Sequence, residues 1–510
     1  TFGGEATRFQ LNGTETFNQR PLILFTSNFG FPAIENLRAG RATTYEVSIG
    51  EMARGFRNWS GRLYFGDQWR VNNRLQLYFG LRYGFDSVPT EVNGLNTLSY
   101  RCDCNNFAPS LAIAWQLPGA WMLRTSYSTS FDQIPPVTYG QVRYNLPHVV
   151  SIQVQNPNVL NPLNGINLND PDIRSSPILY SPDLVSPYAH QYGLSLERKL
   201  GAATLRLGYI GSRSFKLMNV HQANRADPVD GIPLTTATVP LRRADPRYYD
   251  VRTVMSAGIA YLDAGQATFE MPRWRSIGGG VSYTFGKAID EGQDYTATAA
   301  NRDMSRARSQ SQYGFLKDRR GLSNFDSTHS LVLFHYWDLP RLRSRHSWAN
   351  WVADGWQWTG NVLLKSGTPL TLYVGSDAPG FGNVDGGASD RPNILDPSIL
   401  GRVIPHPDVA PMILSRDKFG YIQPGQLAGT LGRGTFRRAR IANWNGSLGK
   451  RWRLPGNAER FVQFRGEAIN LSNTPQFDEP NRNLNASAFG KITNTLNDGR
   501  VFQFSLRLTI

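Results

Sequence analysis

The chain has 510 residues, 40% of them hydrophobic, and a formal net charge of +15. Mean hydropathy is −0.38, and no segment approaches the roughly 18 consecutive apolar residues of a membrane-spanning helix, which excludes a helical membrane protein. Lys and Arg are scattered through the chain without a DNA- or RNA-binding motif, so a lumen lined with Arg, or a surface facing anionic lipid headgroups, explains the charge better than a nucleic acid does.

In chain order, Thr1-Phe2-Gly3-Gly4 lacks the basic start and apolar core of a secretion signal, so the chain reads as the remainder of a longer precursor. Residues 1–43 read as an irregular segment or a remnant of earlier barrel strands. From residue 44 the pattern is β. Leu75, Leu77, Phe79, Leu81 and Tyr83 alternate with Arg74, Gln76, Tyr78, Gly80 and Arg82. Side chains alternate faces along a strand, so one face is apolar and the other polar. The same period returns with Trp121, Leu123, Thr125 and Tyr127 against Met122, Arg124 and Ser126, and with Leu205, Leu207 and Tyr209 against Arg206 and Gly208. It closes the chain with Phe502, Phe504, Leu506, Leu508 and Ile510 against Gln503, Ser505, Arg507 and Thr509.

Predicted strands are 44–51, 57–70, 74–85, 107–116, 120–130, 188–199, 202–213, 250–259, 262–272, 276–288, 328–339, 355–366, 440–452, 460–471 and 501–510; 250–272 reads equally as one long strand. Their connections alternate between short and long. Short ones include Val71-Asn72-Asn73, Leu117-Pro118-Gly119, Leu200-Gly201-Ala202 and Leu454-Pro455-Gly456-Asn457. Long ones cover 86–106, 131–187, 213–248, 290–326, 370–438 and 473–499. A soluble sandwich also alternates apolar and polar residues, but short periplasmic turns opposite long external loops mark an outer-membrane barrel. The fold class expected is therefore all-β, a transmembrane antiparallel β-barrel with about fourteen or fifteen strands in this chain. Trp337, Trp348, Trp351, Trp356 and Trp358 surround one connection and read as an interfacial belt. Arg341, Arg343, Arg345 and His346 in that connection suit a polar turn.

Several segments resemble the TonB-dependent receptor barrels of the Oar-like group, common in Acidobacteria. They include Gly66-Asp67-Gln68-Trp69-Arg70-Val71, Asn105-Asn106-Phe107-Ala108-Pro109, Leu196-Glu197-Arg198-Lys199-Leu200-Gly201 and Tyr283-Thr284-Phe285-Gly286-Lys287. Asp318-Arg319-Arg320-Gly321-Leu322-Ser323 leads to Phe325-Asp326, followed by Ser366-Gly367-Thr368-Pro369-Leu370, Arg391-Pro392-Asn393 and Phe464-Arg465-Gly466-Glu467-Ala468. The resemblance runs from about residue 55 to the C-terminus. It implies a twenty-two-strand barrel with an N-terminal plug, coupled to TonB, in the outer membrane of a Gram-negative bacterium. The plug, the TonB-contacting box and the earlier strands are not recognisable in this sequence. The terminal Ile510 also departs from the aromatic residue that many outer-membrane barrels present to the assembly machinery.

Little in the sequence points to catalysis, so no enzyme activity and no cofactor is expected. The seven histidines form no His-Glu-x-x-His motif, and His329 and His335 are about 20 Å apart along a strand. No nucleophile elbow or phosphate-binding loop is present. Asp377, Asp385 and Asp390 lie in a Gly-rich loop and could hold calcium, but their spacing is not that of an EF-hand, and a solvated loop is the preferred reading. Cys102 and Cys104 are too close for a zinc knuckle and read as a local disulfide in a loop. Arg74, Arg82, Arg124, Arg206, Arg465 and Arg507 are the candidate lumen-facing residues, free to meet an anionic plug surface or substrate, or to pair with lumen acids such as Glu197 and Glu467. The long external loops 131–187 and 370–438 are the candidates for ligand capture. The functional expectation is a receptor or transporter barrel for an external nutrient, set in outer-membrane lipid. The alternatives are a structural or surface-interaction barrel docking a partner through its loops, and a secreted glycan-binding β-protein.

Overall fold

The computed structural model describes residues 1–510 except 16, 17, 27, 169, 171, 172, 293–307, 342–345, 388 and 456–459. Part of the long connection 290–326, the turn residues Gly456 and Asn457, and Arg343 and Arg345 thus lie outside the described residues.

One sheet dominates the chain. Fourteen long strands form its wall: β1 (Phe2–Thr14), β2 (Ala53–Arg70), β3 (Leu75–Asp86), β4 (Asp103–Leu117), β5 (Trp121–Phe131), β6 (Tyr188–Leu200), β7 (Ala203–Ala223), β8 (Val251–Trp274), β9 (Ile277–Asp290), β10 (His329–Asp338), β11 (Trp356–Lys365), β12 (Ile441–Arg453), β13 (Phe461–Ile469) and β14 (Val501–Thr509). Each pairs antiparallel with the next in sequence, a pure meander. Among the described residues, β1 pairs only with β2 along its length, and β14 only with β13.

One sequence expectation changes here, at Thr44–Gly50, and two open readings resolve. Phe2–Thr14, read as irregular or as a remnant of barrel strands, is a thirteen-residue strand in register with β2. Thr44–Gly50, expected in the barrel, leaves the wall and joins a separate sheet with Leu22–Leu24 and Val149–Gln155. Residues 250–272 are one strand, β8.

The register places every wall residue on one of two faces. Arg82 faces Ala108, Ala114 faces Arg124, Arg124 faces Ser195, Glu197 faces Arg206, and Arg206 faces Thr268. Cross-strand partners share a face, so this polar row is continuous from β3 to β8. The opposite face carries Leu63, Phe65, Leu81, Leu111, Leu194, Leu207, Phe285, Phe504 and Leu506, all exposed. An exposed apolar band on a sheet this wide would aggregate in water; against lipid it is the stable outer surface. Trp69, Trp115, Trp121, Trp274, Trp337, Trp356, Trp358 and Trp452 stand within three residues of strand ends on the rim that carries the short turns. Tyr127, Phe131, Tyr188, His190 and Phe215 gather at the other rim. These are two aromatic girdles, one at each interface.

The buried hydrophobic core lies above the wall, in the long connections. One cluster joins the upper ends of β2, β7 and β8 to 134–184 through Phe56, Met218, Val254, Tyr139, Tyr180 and Leu184. A second packs 370–436 against 484–492 through Leu370, Leu372, Leu414, Phe436, Leu484 and Phe489. A third lies under the small sheet, around Tyr45, Val47 and Ile152.

Candidate functional site: the inner wall and its cap

Two cavities open along the polar face. One, of 450 Å³, is lined by Gln68, Gln76, Tyr78, Arg124, Ser126, Ser195, Arg206 and Gln266, and the second, of 730 Å³, by Arg62, Tyr64, Gln68, Tyr78, Arg82, Asp86 and Asp132. Gln68 and Tyr78 line both, so the two form one polar groove up the wall. The groove is open because residues along it are small: Gly66, Gly80, Ala108, Ala112 and Gly208 occupy positions where larger residues would fill it.

Of the six candidate arginines, Arg82, Arg124 and Arg206 line this groove. Arg465 and Arg507 continue the same face on β13 and β14, where Arg465 faces Ser505 and Arg507 faces Gln463. Arg74 sits in the turn before β3, with its backbone N–H donating to Asn72 Oδ1 at 2.8 Å, so it marks the rim and not the wall. Arg206 pairs with Glu197 at 2.8 Å and Arg465 with Glu467 at 2.7 Å. Arg62 pairs with Asp86 at 2.9 Å, while Arg82 and Arg124 present their charge to the groove. Ion pairs this exposed contribute little stability; their effect is to fix guanidinium orientation along the groove.

The cap is built differently. Its long connections are tied together by Arg–Asp pairs that are mostly or fully buried. Arg225 bonds Asp385 at 2.6 Å, with the two side chains 3% and 6% exposed. Arg391 pairs with Asp318, Arg433 with Asp290, and Arg437 with Asp326. Each pair joins the 366–440 connection to an earlier one. Gln310 reinforces the seam: its side chain donates to Asp318 and to Gly429 O, and accepts from Arg391 N. Removing one partner of such a pair strands a charge in a dry site and typically costs about 3–5 kcal/mol.

Asp377, Asp385 and Asp390, expected in a solvated loop, sit in this seam instead. Asp385 and Asp390 are buried, and Asp377 accepts backbone N–H bonds from Asp385 at 3.1 Å and Gly386 at 2.7 Å. Asp390 Oδ2 accepts from Asn383 N at 2.9 Å. Desolvation, then repulsion from Asp385, pushes the Asp377 carboxyl up to about 8. Burial, then Asp385 and Asp377, holds Asp390 well above the usual carboxylate range. Burial would pull Arg225 down, but Asp385 outweighs it and keeps the guanidinium charged. Among the described residues, no group of three or more His, Cys, Asp or Glu has the geometry of a metal site.

Cys102 and Cys104 are joined as a disulfide at the start of β4, with Cα atoms 5.5 Å apart. His329 and His335 stay separate: His329 Nδ1 bonds the Tyr283 hydroxyl at 2.7 Å, and His335 Nε2 accepts from Trp358 Nε1 at 2.8 Å. Arg225, Arg433 and Arg437 carry the cap, yet no local pattern marks them. The one available signal is that Asp318, Asp326 and Arg391 fall within segments that carry the family resemblance.

A family model described as "Outer membrane beta barrel domain" matches residues 1–503. The chain belongs to that family. As an outer-membrane β-barrel chain it is similar to the solved outer membrane transporter YddB from Escherichia coli, with 11% identity and a TM-score of 0.50, over 99% of this chain and 50% of that one. It is also similar to a ferric enterobactin receptor mutant from Pseudomonas aeruginosa, at 10% identity, TM-score 0.47, over 99% of this chain and 54% of that one. The ferripyoverdine receptor of the same organism gives 10% identity and a TM-score of 0.43, over 99% and 49%. The chain spans about half the length of these structures. At such identities the likeness to YddB speaks for the fold alone. No curated protein matches the sequence.

Proposed function

We propose that this chain forms the wall and external cap of an outer-membrane transporter that takes up an external nutrient, working with a plug and the TonB system as Oar-like receptors do. The observation that carries this reading is the groove on the inner face, where Arg82 and Arg124, without a carboxylate partner among the described residues, and the oriented Arg62 and Arg206 line a polar path beneath the cap. A purely structural barrel has no need to keep small residues and cations along one inner stripe. A second reading, a non-transporting surface-interaction barrel, draws support from the buried Arg–Asp seam, which makes the 366–440 connection a rigid surface.

The test compares a gene-deletion strain with a strain complemented by the full-length gene. Small molecules remaining in the medium are measured by mass spectrometry, with and without a protonophore. Transport predicts at least one solute depleted only by the complemented, energised cells. Identical depletion in all four cultures would sink the transport reading and leave the surface-interaction one.

A further inference from the structure

The outer face of β6–β9 is uncharged along its middle, with Leu194, Leu196, Leu205, Leu207, Ala267, Phe269 and Val281. Toward the rim of the long connections the same face turns basic. Arg213 on β7 stands opposite His190 on one side and Tyr261 on the other. Lys287 on β9 stands opposite Asp263 on β8. Arg320 precedes Gly321–Leu322, which pairs with the end of β9, and its guanidinium lies 5.7 Å from the centre of the Tyr261 ring. Arg213 flanks that same ring at 5.3 Å. Three cations therefore crowd about 15 Å of outer surface, three strand spacings.

Among the described residues, one carboxylate balances them. Asp263 accepts from Arg213 Nη2 through both oxygens, at 2.9 and 3.0 Å, and from the Tyr209 hydroxyl. Lys287 and Arg320 are exposed, and among the described residues neither has a carboxylate partner. A charge facing lipid is costly at mid-bilayer and nearly free at the interface, so this position is tolerated. Snorkelling to water explains a single long cation at a rim. It does not explain two unpaired cations converging beside an Arg already held rigid by Asp263 and beside two tyrosine rings.

We propose that this patch binds the phosphate group of a phosphorylated glycolipid in the outer leaflet of the membrane. Lys287 and Arg320 supply the charge, Arg213 offers an oriented guanidinium edge, and Tyr209 and Tyr261 cover the sugar. The assignment rests on the long connections facing outward.

The full-length protein in detergent micelles is titrated with bisphosphoryl lipid A, with the same lipid stripped of phosphate, with phosphatidylglycerol and with inorganic phosphate. Bisphosphoryl lipid A is expected to bind the native protein, and the double variant Lys287→Gln/Arg320→Gln to lose about thirtyfold in affinity. The stripped lipid is expected to bind both proteins equally weakly, and inorganic phosphate neither. Undiminished lipid A binding by the double variant would overturn the proposal, as would phosphatidylglycerol binding as tightly as lipid A. An epitope inserted at Asp230-Gly231, in the connection next to the patch, is expected to be detected on intact cells. Failure there would overturn the outward orientation, and with it the leaflet assigned, independently of the binding result.

Discussion

At the scale of single residues, the most consequential group is the buried acid cluster of the cap. Three carboxylates, Asp377, Asp385 and Asp390, crowd around Arg225, with Arg242 and Arg243 also in electrostatic reach of Asp385. Burial, more than mutual repulsion, favours their protonated forms. Burial pushes the Asp377 carboxyl up to about 8 in the folded cap, against the ordinary 3.8 of a free Asp. A folded value above the unfolded one means that the folded state binds the proton more tightly. Its stabilisation is complete below about pH 4 and falls as pH rises to about 8, beyond which it is gone. Hydrogen exchange of the 375–391 backbone is therefore expected to speed up between pH 6 and pH 9 beyond the intrinsic base dependence. Asp377→Asn, which cannot ionise, is expected to flatten that excess; an unchanged pH response in the variant would refute the assignment. No property of the sequence near Asp377 signals any of this. Gly, Asp and Asn around it are what a solvated loop also uses, and its burial draws on residues far away in sequence, such as Arg225 and Gln310.

At the scale of elements, the close approach of β8, β9 and β10 depends on Gly278-Gly279-Gly280. A Cβ on Gly278 would lie 2.2 Å from the Tyr336 ring, one on Gly279 2.3 Å from Phe334 O, and one on Gly280 2.8 Å from the Phe334 ring. The contact at Gly279 is with backbone, which cannot swing aside. Gly279→Ala is expected to destabilise the detergent-folded protein by about 1–3 kcal/mol, read as a lower denaturant midpoint. Gly265→Ala, on the same sheet with open space around its Cβ, serves as the control and is expected to stay near the parent. Elements also show where sequence reading succeeds and fails. Strands such as β3, β5, β7 and β14 were legible because lipid on one side and the polar lumen on the other impose a strict period of two. Thr44–Gly50 has the same period, through Tyr45 and Val47, but it packs on a small apolar core in the cap. Periodicity reports a half-buried strand; it does not report what buries it. The strand character of Phe2–Thr14 is faint in the sequence for the converse reason. Its outward positions, Gly4, Ala6, Arg8, Gln10 and Asn12, lack an apolar row, and its strand character comes from pairing with β2.

At the scale of the whole molecule, two solvents act on one sheet. The outer face of Leu, Phe and Val is stable only against lipid, and the inner face only against water. Substituting an outer residue at mid-height tests that division. Leu207→Lys, on the outer face, is expected to cost about 2–4 kcal/mol, while Ser126→Lys, on the inner face, is expected to change stability little. Denaturant midpoints in lipid vesicles would decide it, and equal costs at both sites would contradict the two-solvent arrangement. The alternation of connection length was equally legible and foretold the division into wall and cap. What the sequence could not disclose was that the cap is solid, because its seams join residues that only the finished wall brings together. Arg437 and Asp326 are 111 residues apart, Arg433 and Asp290 143, and Arg225 and Asp385 160. Contacts of such long separation form late and slowly. Until β9 to β12 stand in register, these arginines and aspartates have no partner across the seam and remain in water. Resistance of the 370–438 connection to protease is then a clock for biogenesis: it starts when the staves beneath have been laid side by side, and an assembly stalled earlier is left with its loops open to the cell's quality control.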